Sequence, residues 1–286
     1  VSLTYFNLGS IQFTDEQNNP ITDYNPQEYN IAATYSRLLG KNFSLGITAK
    51  FLNSNLFGSI SAGAGSTNQN FKPARTAAVD IGGYYTKQMS VNGSPSQLNL
   101  GAAITNFGPK LSYSDNNTRD VLPTNLRLGS AFSTELDEFN KITFALDINK
   151  LLVPSPDSGS GDKALIPGMF GSFTDAPGGG AEELQEVNIS GGVEYWYNNL
   201  FAVRGGYFYE HPDKGNRRYF TAGIGVRINT LGFDLGYIMP GSDSNSPLSN
   251  TLRFSLIFNF NGANANTASD ATPASDGPSP APGNQE

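Results

Sequence analysis

Apolar and polar residues alternate with a period of two over runs of ten to twelve residues in the second half of this chain. That alternation restricts the fold to extended sheet with one apolar and one polar face. Val187, Ile189, Val193, Tyr195 and Tyr197 alternate with Asn188, Ser190, Gly192 and Glu194. Phe220, Ala222, Ile224, Val226 and Ile228 are set against Tyr219, Thr221, Gly223 and Arg227, and Leu252, Phe254, Leu256, Phe258 and Phe260 against Arg253, Ser255 and Asn259. Strands of soluble proteins are usually about five or six residues. At ~3.3 Å per residue and a tilt near ~45°, ten residues rise roughly 23 Å, the height of the apolar band of an outer-membrane barrel. Aromatic residues gather at strand ends, as in Tyr195–Trp196–Tyr197 and Tyr207–Phe208–Tyr209, in the manner of interfacial girdles. The competing architecture is a large soluble sandwich.

Composition fits the barrel. The 286 residues have a mean hydropathy of −0.32, and no apolar run approaches the roughly 18 residues a spanning helix needs. A polar lumen dilutes the apolar face, so low hydropathy is no objection. One barrel can use the whole length as a single domain. A net charge of −7 argues against nucleic acid as a partner. Zero cysteines exclude a disulfide framework and thiolate metal sites. Val1 already lies in an alternating run with Leu3 and Tyr5, so an upstream segment, including a signal peptide, is expected.

The alternation predicts twelve strands, over 1–14, 27–38, 42–57, 75–87, 97–107, 123–134, 141–151, 186–197, 200–210, 217–228, 231–240 and 249–260. Short connections alternate with long ones, although 88–96 is longer than 211–216. Short periplasmic turns facing long extracellular loops have this form. The expected fold class is therefore all-β, an antiparallel transmembrane β-barrel over 1–260, in the outer membrane of a Gram-negative bacterium. Its long loops are extracellular and its termini periplasmic. The remainder, 261–286, is Ala/Ser/Asn/Gly/Pro-rich and without period, and is expected to be a disordered periplasmic tail.

On the polar phase fall Lys50, Asp80, Arg127, Asp147, Glu194, Arg204, Arg227, Asp234 and Arg253. Five bases and four acids predict mutual pairing in a plugged or narrow lumen. Catalytic residues are not expected. The single histidine, His211, reads as a solvated loop residue beside Glu210 and Asp213, and no serine can be placed near it. Asp157, Asp162 and Asp243 lie in Gly/Ser-rich loops without a Ca²⁺ ligand pattern, and Gly159 and Gly161 make no phosphate loop. No metal or cofactor is expected. The loop 152–185, of 34 residues, is longer than a structureless connection should be. Its Leu165, Ile166, Met169, Phe170 and Phe173, with Pro167, form either a partner-docking surface or a constriction folded into the barrel mouth. The connection 58–74 is a second, flexible candidate.

Several stretches resemble one family. They are Leu122-Pro-Thr-Asn-Leu-Arg-Leu-Gly129, Thr134-Glu-Leu-Asp-Glu-Phe-Asn-Lys141, Ala145-Leu-Asp-Ile-Asn-Lys-Leu-Leu152 and Val193-Glu-Tyr-Trp-Tyr-Asn-Asn199. Arg204-Gly-Gly-Tyr-Phe-Tyr-Glu-His211 and Asn250-Thr-Leu-Arg-Phe-Ser-Leu256 extend the likeness, and Gly168-Met-Phe-Gly-Ser-Phe-Thr-Asp-Ala-Pro-Gly-Gly179 is its most specific part. Together they resemble the PorV (LptO) outer-membrane proteins of the type IX secretion system, relatives of the FadL-type barrels. The resemblance implies about 14 strands in the full protein, with about 12 here and a plug segment and two strands upstream. It implies a non-catalytic role: binding the C-terminal signal domains of cargo as they leave the translocon barrel, and carrying cargo to the PorU-containing attachment complex at the cell surface. Outer-membrane lipid is the remaining partner. The alternative is a FadL-like channel for a hydrophobic small molecule; a third reading is an outer-membrane hydrolase using His211.

Overall fold

The computed structural model describes residues 1–14, 18–56, 61–62, 69–70, 72–114, 119–155, 163–241 and 250–259. The candidate loop aspartates Asp157, Asp162 and Asp243, the glycines Gly159 and Gly161, the tail 261–286 and most of 58–74 lie outside these residues. The strands are β1 Ser2–Asn7, β2 Ile11–Thr14, β3 Pro20–Tyr24, β4 Gln27–Leu38, β5 Phe43–Asn55, β6 Ser61–Ala62, β7 Gln69–Asn70 and β8 Ala74–Val91. They continue as β9 Ser94–Phe107, β10 Asn125–Glu135, β11 Asn140–Leu151, β12 Val187–Tyr197, β13 Phe201–Tyr209, β14 Arg218–Ile228, β15 Leu231–Pro240 and β16 Leu252–Phe258. Two short helices, α1 Leu165–Gly171 and α2 Gly180–Gln185, lie between β11 and β12.

Twelve strands form one antiparallel sheet in the order β1-β4-β5-β8-β9-β10-β11-β12-β13-β14-β15-β16, so each strand of the wall pairs with the next wall strand in the chain. The sheet curls around a lumen, because Ser36 on β4 and Tyr219 on β14 line the same cavity. Among the described strands, β1 pairs only with β4 and β16 only with β15 within this sheet.

The distribution of side chains separates a membrane barrel from a sandwich. A sandwich buries its large apolar residues between sheets. Here Phe43, Leu45, Ile47 and Phe51 on β5, Phe144, Leu146 and Ile148 on β11, and Phe254 and Leu256 on β16 all point outward and are exposed. The buried apolar set consists mostly of alanines, with Leu122, Leu152, Met169 and Ile238. Glycine and polar residues face inward: Gly46 is paired with Gly82, and Gly129 with Asp147. Lipid is the solvent for such an outer face. Among the described residues no helix is long and apolar enough to cross a membrane.

One end of the barrel carries tight turns. Asn92 and Gly93 link β8 to β9 at φ of 52° and 85°, and Asn198 and Asn199 follow β12 at 50° and 49°. Asn229, at 51°, opens the two-residue link from β14 to β15. Positive φ at consecutive central residues matches the twist of the flanking strands, and Asn and Gly tolerate it best. The nine-residue connection expected at 88–96 is therefore two residues long. β8 and β9 extend past the apolar band, where Gln88, Ser90, Ser94 and Ser96 make strand look like loop. The strand expected over 1–14 is divided at Gly9 (φ 81°): β1 stays in the wall, whereas β2 pairs with β3 as a separate hairpin at the long-loop end. Replacing Gly93 by valine is expected to cost about 1–2 kcal/mol through its φ alone. A lower temperature of heat-modifiable unfolding on a gel would register that cost.

Candidate functional site

At the long-loop end, β11 carries its lumen side chains at Thr143, Ala145, Asp147 and Asn149, which line the interior cavities. The pleat sends alternate residues to opposite faces, so Phe144, Leu146, Ile148 and Lys150 point outward. Leu152 continues that outward phase just beyond the strand. Lys150 and Leu152 would be exposed on a bare wall, yet they are 7% and 3% exposed. The covering comes from the segment that holds α1 and α2. Glu183 Oε2 and Glu186 Oε2 accept hydrogen bonds from Lys150 Nζ at 2.9 and 2.8 Å, and the Phe173 ring lies 5.8 Å from the same ammonium. The interior cavities of about 780 and 390 Å³ are lined by strand residues and Arg217. The described part of this segment, α1 and α2, thus packs as a cap on the rim and the outward side of β11.

The cap is built from its own turns. Ser155 N donates to Asp175 Oδ2 at 3.0 Å, and Ser172 Oγ to the Met169 carbonyl at 2.7 Å. Gly179 precedes α2 at φ 70°, a conformation that favours glycine. Glu182 and Glu183 occupy the first turn of α2, where the unpaired amides favour negative charge. Glu183 Oε1 accepts from the Ala176 amide and Glu182 Oε2 from the Gly178 amide. Lys214, in the β13–β14 connection, donates to Glu182 Oε1 at 2.5 Å and Glu186 Oε1 at 3.1 Å. Each oxygen of the three glutamates thus has a donor.

Of the five residues expected on a docking surface, Ile166, Phe170 and Phe173 are exposed, Phe170 at 65%. Leu165 is half-buried, and Met169 is buried beneath α1 as part of the cap's small core. Leu184 on α2, 74% exposed, belongs to the same segment and was not singled out by the sequence. Lys150, Lys214 and the three glutamates were missed as well. The acids following Gly178–Gly180 are a helix-start signal that could have drawn attention to them.

The lysine–glutamate contacts of the cap should respond to pH. The bond from Lys214 and the Gly178 amide hold the Glu182 carboxyl below its ordinary range. Burial pushes Glu183 up, but the Ala176 amide and Lys150 together outweigh it and keep that carboxyl low as well. The bond to Glu182 raises Lys214. Depressed carboxylates stabilise the cap above their ordinary pKa of about 4.3 and lose that contribution as pH falls through the lower folded value. A raised lysine contributes below its ordinary value of about 10.4 and loses it at still higher pH. Acid below about pH 4 is therefore expected to release the cap, while the barrel's backbone ladder, which does not titrate, persists. Pepsin near pH 3 should cut within 165–185 and spare the strands; an uncut cap would contradict this.

Within the lumen, the nine predicted charged residues divide into paired and unpaired sets. Lys50 Nζ meets Asp80 Oδ2 at 2.6 Å and Asn106 Oδ1 at 3.0 Å. Glu194, Arg204, Asp234 and Arg227 form a chain, with contacts of 2.5, 2.7 and 2.8 Å. Trp196 closes it: its Nε1 donates to Glu194 Oε1, and both guanidinium groups lie over its ring at 5.5 and 5.4 Å. Arg127, Asp147 and Arg253 have no ion pair among the described residues; the first two line the 780 Å³ cavity with Tyr84, Asn149 and Asn188. Pairing is thus concentrated under β12–β15. His211 Nδ1 accepts from the Asp213 amide at 3.3 Å and caps a one-turn 3-10 helix, Pro212–Lys214. The same nitrogen lies 3.6 Å from Asp213 Oδ2.

Comparison with known families agrees with this architecture. Residues 1–158, more than half of the chain, match the family described as Type IX secretion system protein PorV. No curated protein matches the chain. The match runs through β1–β11 and stops before α1, so the cap lies beyond it. The chain belongs to the PorV family of outer-membrane type IX secretion proteins.

Proposed function

We propose that the protein is a non-catalytic adaptor of type IX secretion that docks the translocon barrel and captures the C-terminal signal domains of emerging cargo, then delivers the cargo to the surface attachment complex. The long-loop end, with the cap, would face the cell exterior, and the tight-turn end and both termini the periplasm. The observation that carries this reading is the exposed apolar set Ile166, Phe170, Phe173 and Leu184 on a cap fixed against the outer wall. A cap on the outside leaves its apolar residues available to a partner, as docking requires. It also sits directly above the lipid-facing rows of β11 and β12, where a partner embedded in the same membrane would approach. Family membership supports a place in the secretion machinery.

A FadL-like channel is the second reading, favoured by the 780 Å³ cavity. Against it, the lining includes Arg127, Asp147, Asn149 and Asn188, which a hydrophobic solute would desolvate without compensation. The test is purification of tagged full-length protein from its own outer membrane in mild detergent. Co-purification of the large translocon barrel and of proteins sharing one C-terminal domain supports the adaptor. A barrel that emerges alone, or with bound lipid, overturns it.

A further inference from the structure

The short helix α2 is inverted relative to an ordinary surface helix. Its only large apolar side chain, Leu184, is 74% exposed, whereas Glu183 is 9% exposed and faces the wall. An amphipathic surface helix does the reverse, burying leucine and solvating its acids. Apolar burial therefore cannot be what holds α2 in place. What holds it are four lysine–carboxylate contacts from two lysines on separate parts of the barrel: Lys150 at the end of β11, and Lys214 in the β13–β14 connection. Glu186 is shared by both lysines and so joins the two anchor points.

We infer that Lys150 and Lys214 are positioning residues: a two-point ionic clamp that fixes α1 and α2 on the outer wall and thereby presents Phe170, Phe173 and Leu184 as one preset surface. This inference rests on the docking reading above. Neither lysine touches the partner itself; each acts through Glu182, Glu183 and Glu186. Presetting matters because a surface ordered before the encounter does not lose binding free energy to its own ordering. The clamp also explains why the cap can carry outward apolar residues without folding them into the lumen mouth. A buried ammonium group at Lys150 and a partly exposed one at Lys214, each paired with satisfied acids, restrict the segment to one arrangement, whereas apolar contacts alone would allow several.

Amide exchange on the full protein in detergent, together with translocon co-purification, tests the clamp. Lys150→Met keeps the stem and removes the charge, leaving Glu183 buried without its counter-ion. Exchange across 180–186 is expected to accelerate by roughly a hundredfold, as stranding one member of a buried pair would cause. Lys214→Met should accelerate it less, because its pairs are partly exposed, and Lys214→Arg should restore both protection and capture. Exchange in β12–β15 and heat-modifiability should stay at wild-type values in all three. Unchanged exchange at 180–186 in Lys150→Met and Lys214→Met would overturn the clamp. Failure of Lys214→Arg to restore capture would overturn the positioning role. Run in parallel, Phe170→Asp with Phe173→Asp distinguishes the two ideas: normal capture by that variant defeats the docking reading whatever the exchange data show.

Discussion

The double variant Phe170→Asp, Phe173→Asp is expected to reach the outer membrane as a folded, heat-modifiable barrel and to lose most of its partner capture. Both side chains are exposed and neither is in the buried core of the cap, although the Phe173 ring also lies against Lys150; Met169, which does pack inward, is left alone. A buried aromatic anchor at a protein interface is commonly worth about 2 kcal/mol or more, and replacing it by a carboxylate adds desolvation of a charge. Two such positions should weaken association by at least roughly a hundredfold. Immunoblotting of the co-purified translocon barrel measures this directly. An aspartate pair elsewhere on the surface, at Leu136 and Phe139 in the tight turn from β10 to β11, provides the control. Those residues are 57% and 52% exposed but sit at the opposite end of the barrel.

The second large effect lies in the lumen. Arg204→Ala removes the guanidinium that bridges Glu194 and Asp234 and lies over Trp196. Asp234 keeps Arg227, but Glu194 retains only the indole donor of Trp196 among the described residues. Breaking a fully buried pair costs about 3–5 kcal/mol. Arg204 and Glu194 are each about one-third exposed, so screening reduces the cost to roughly 2 kcal/mol. The temperature of heat-modifiable unfolding should fall by several degrees. Planar-bilayer conductance should change little, because the cluster braces one part of the wall. Unaltered unfolding with a large rise in conductance would instead make the cluster a gate, which is the behaviour of a channel.

Much of this architecture could be read from the period of two. The twelve wall strands, their antiparallel order and the inward phase of Lys50, Glu194, Arg204 and Asp234 follow from alternation and connection length. Pairing did not follow. Arg204 and Asp234 are 30 residues apart, and whether their tips meet depends on the stagger of β13, β14 and β15, which no pattern within one strand specifies. The same limit explains why Arg127, Asp147 and Arg253 could not be separated from the paired set. At the rim, the helices were invisible because seven and six residues are too few to establish a 3.6-residue period, and Pro167 and Gly168 further obscure α1. Phe170 and Phe173 were conspicuous as apolar residues in a loop. Leu184 and the glutamates beside it became meaningful only once Lys150 was seen to face outward and still be covered.

The most direct measurement places a photo-crosslinking residue at Phe170 and, separately, at Phe139 in full-length protein within its native outer membrane. The adaptor account predicts that the Phe170 position crosslinks to the translocon barrel or to the C-terminal signal domain of cargo, and that the Phe139 position does not. No crosslink from Phe170, or equal crosslinking from both ends, would contradict docking through the cap.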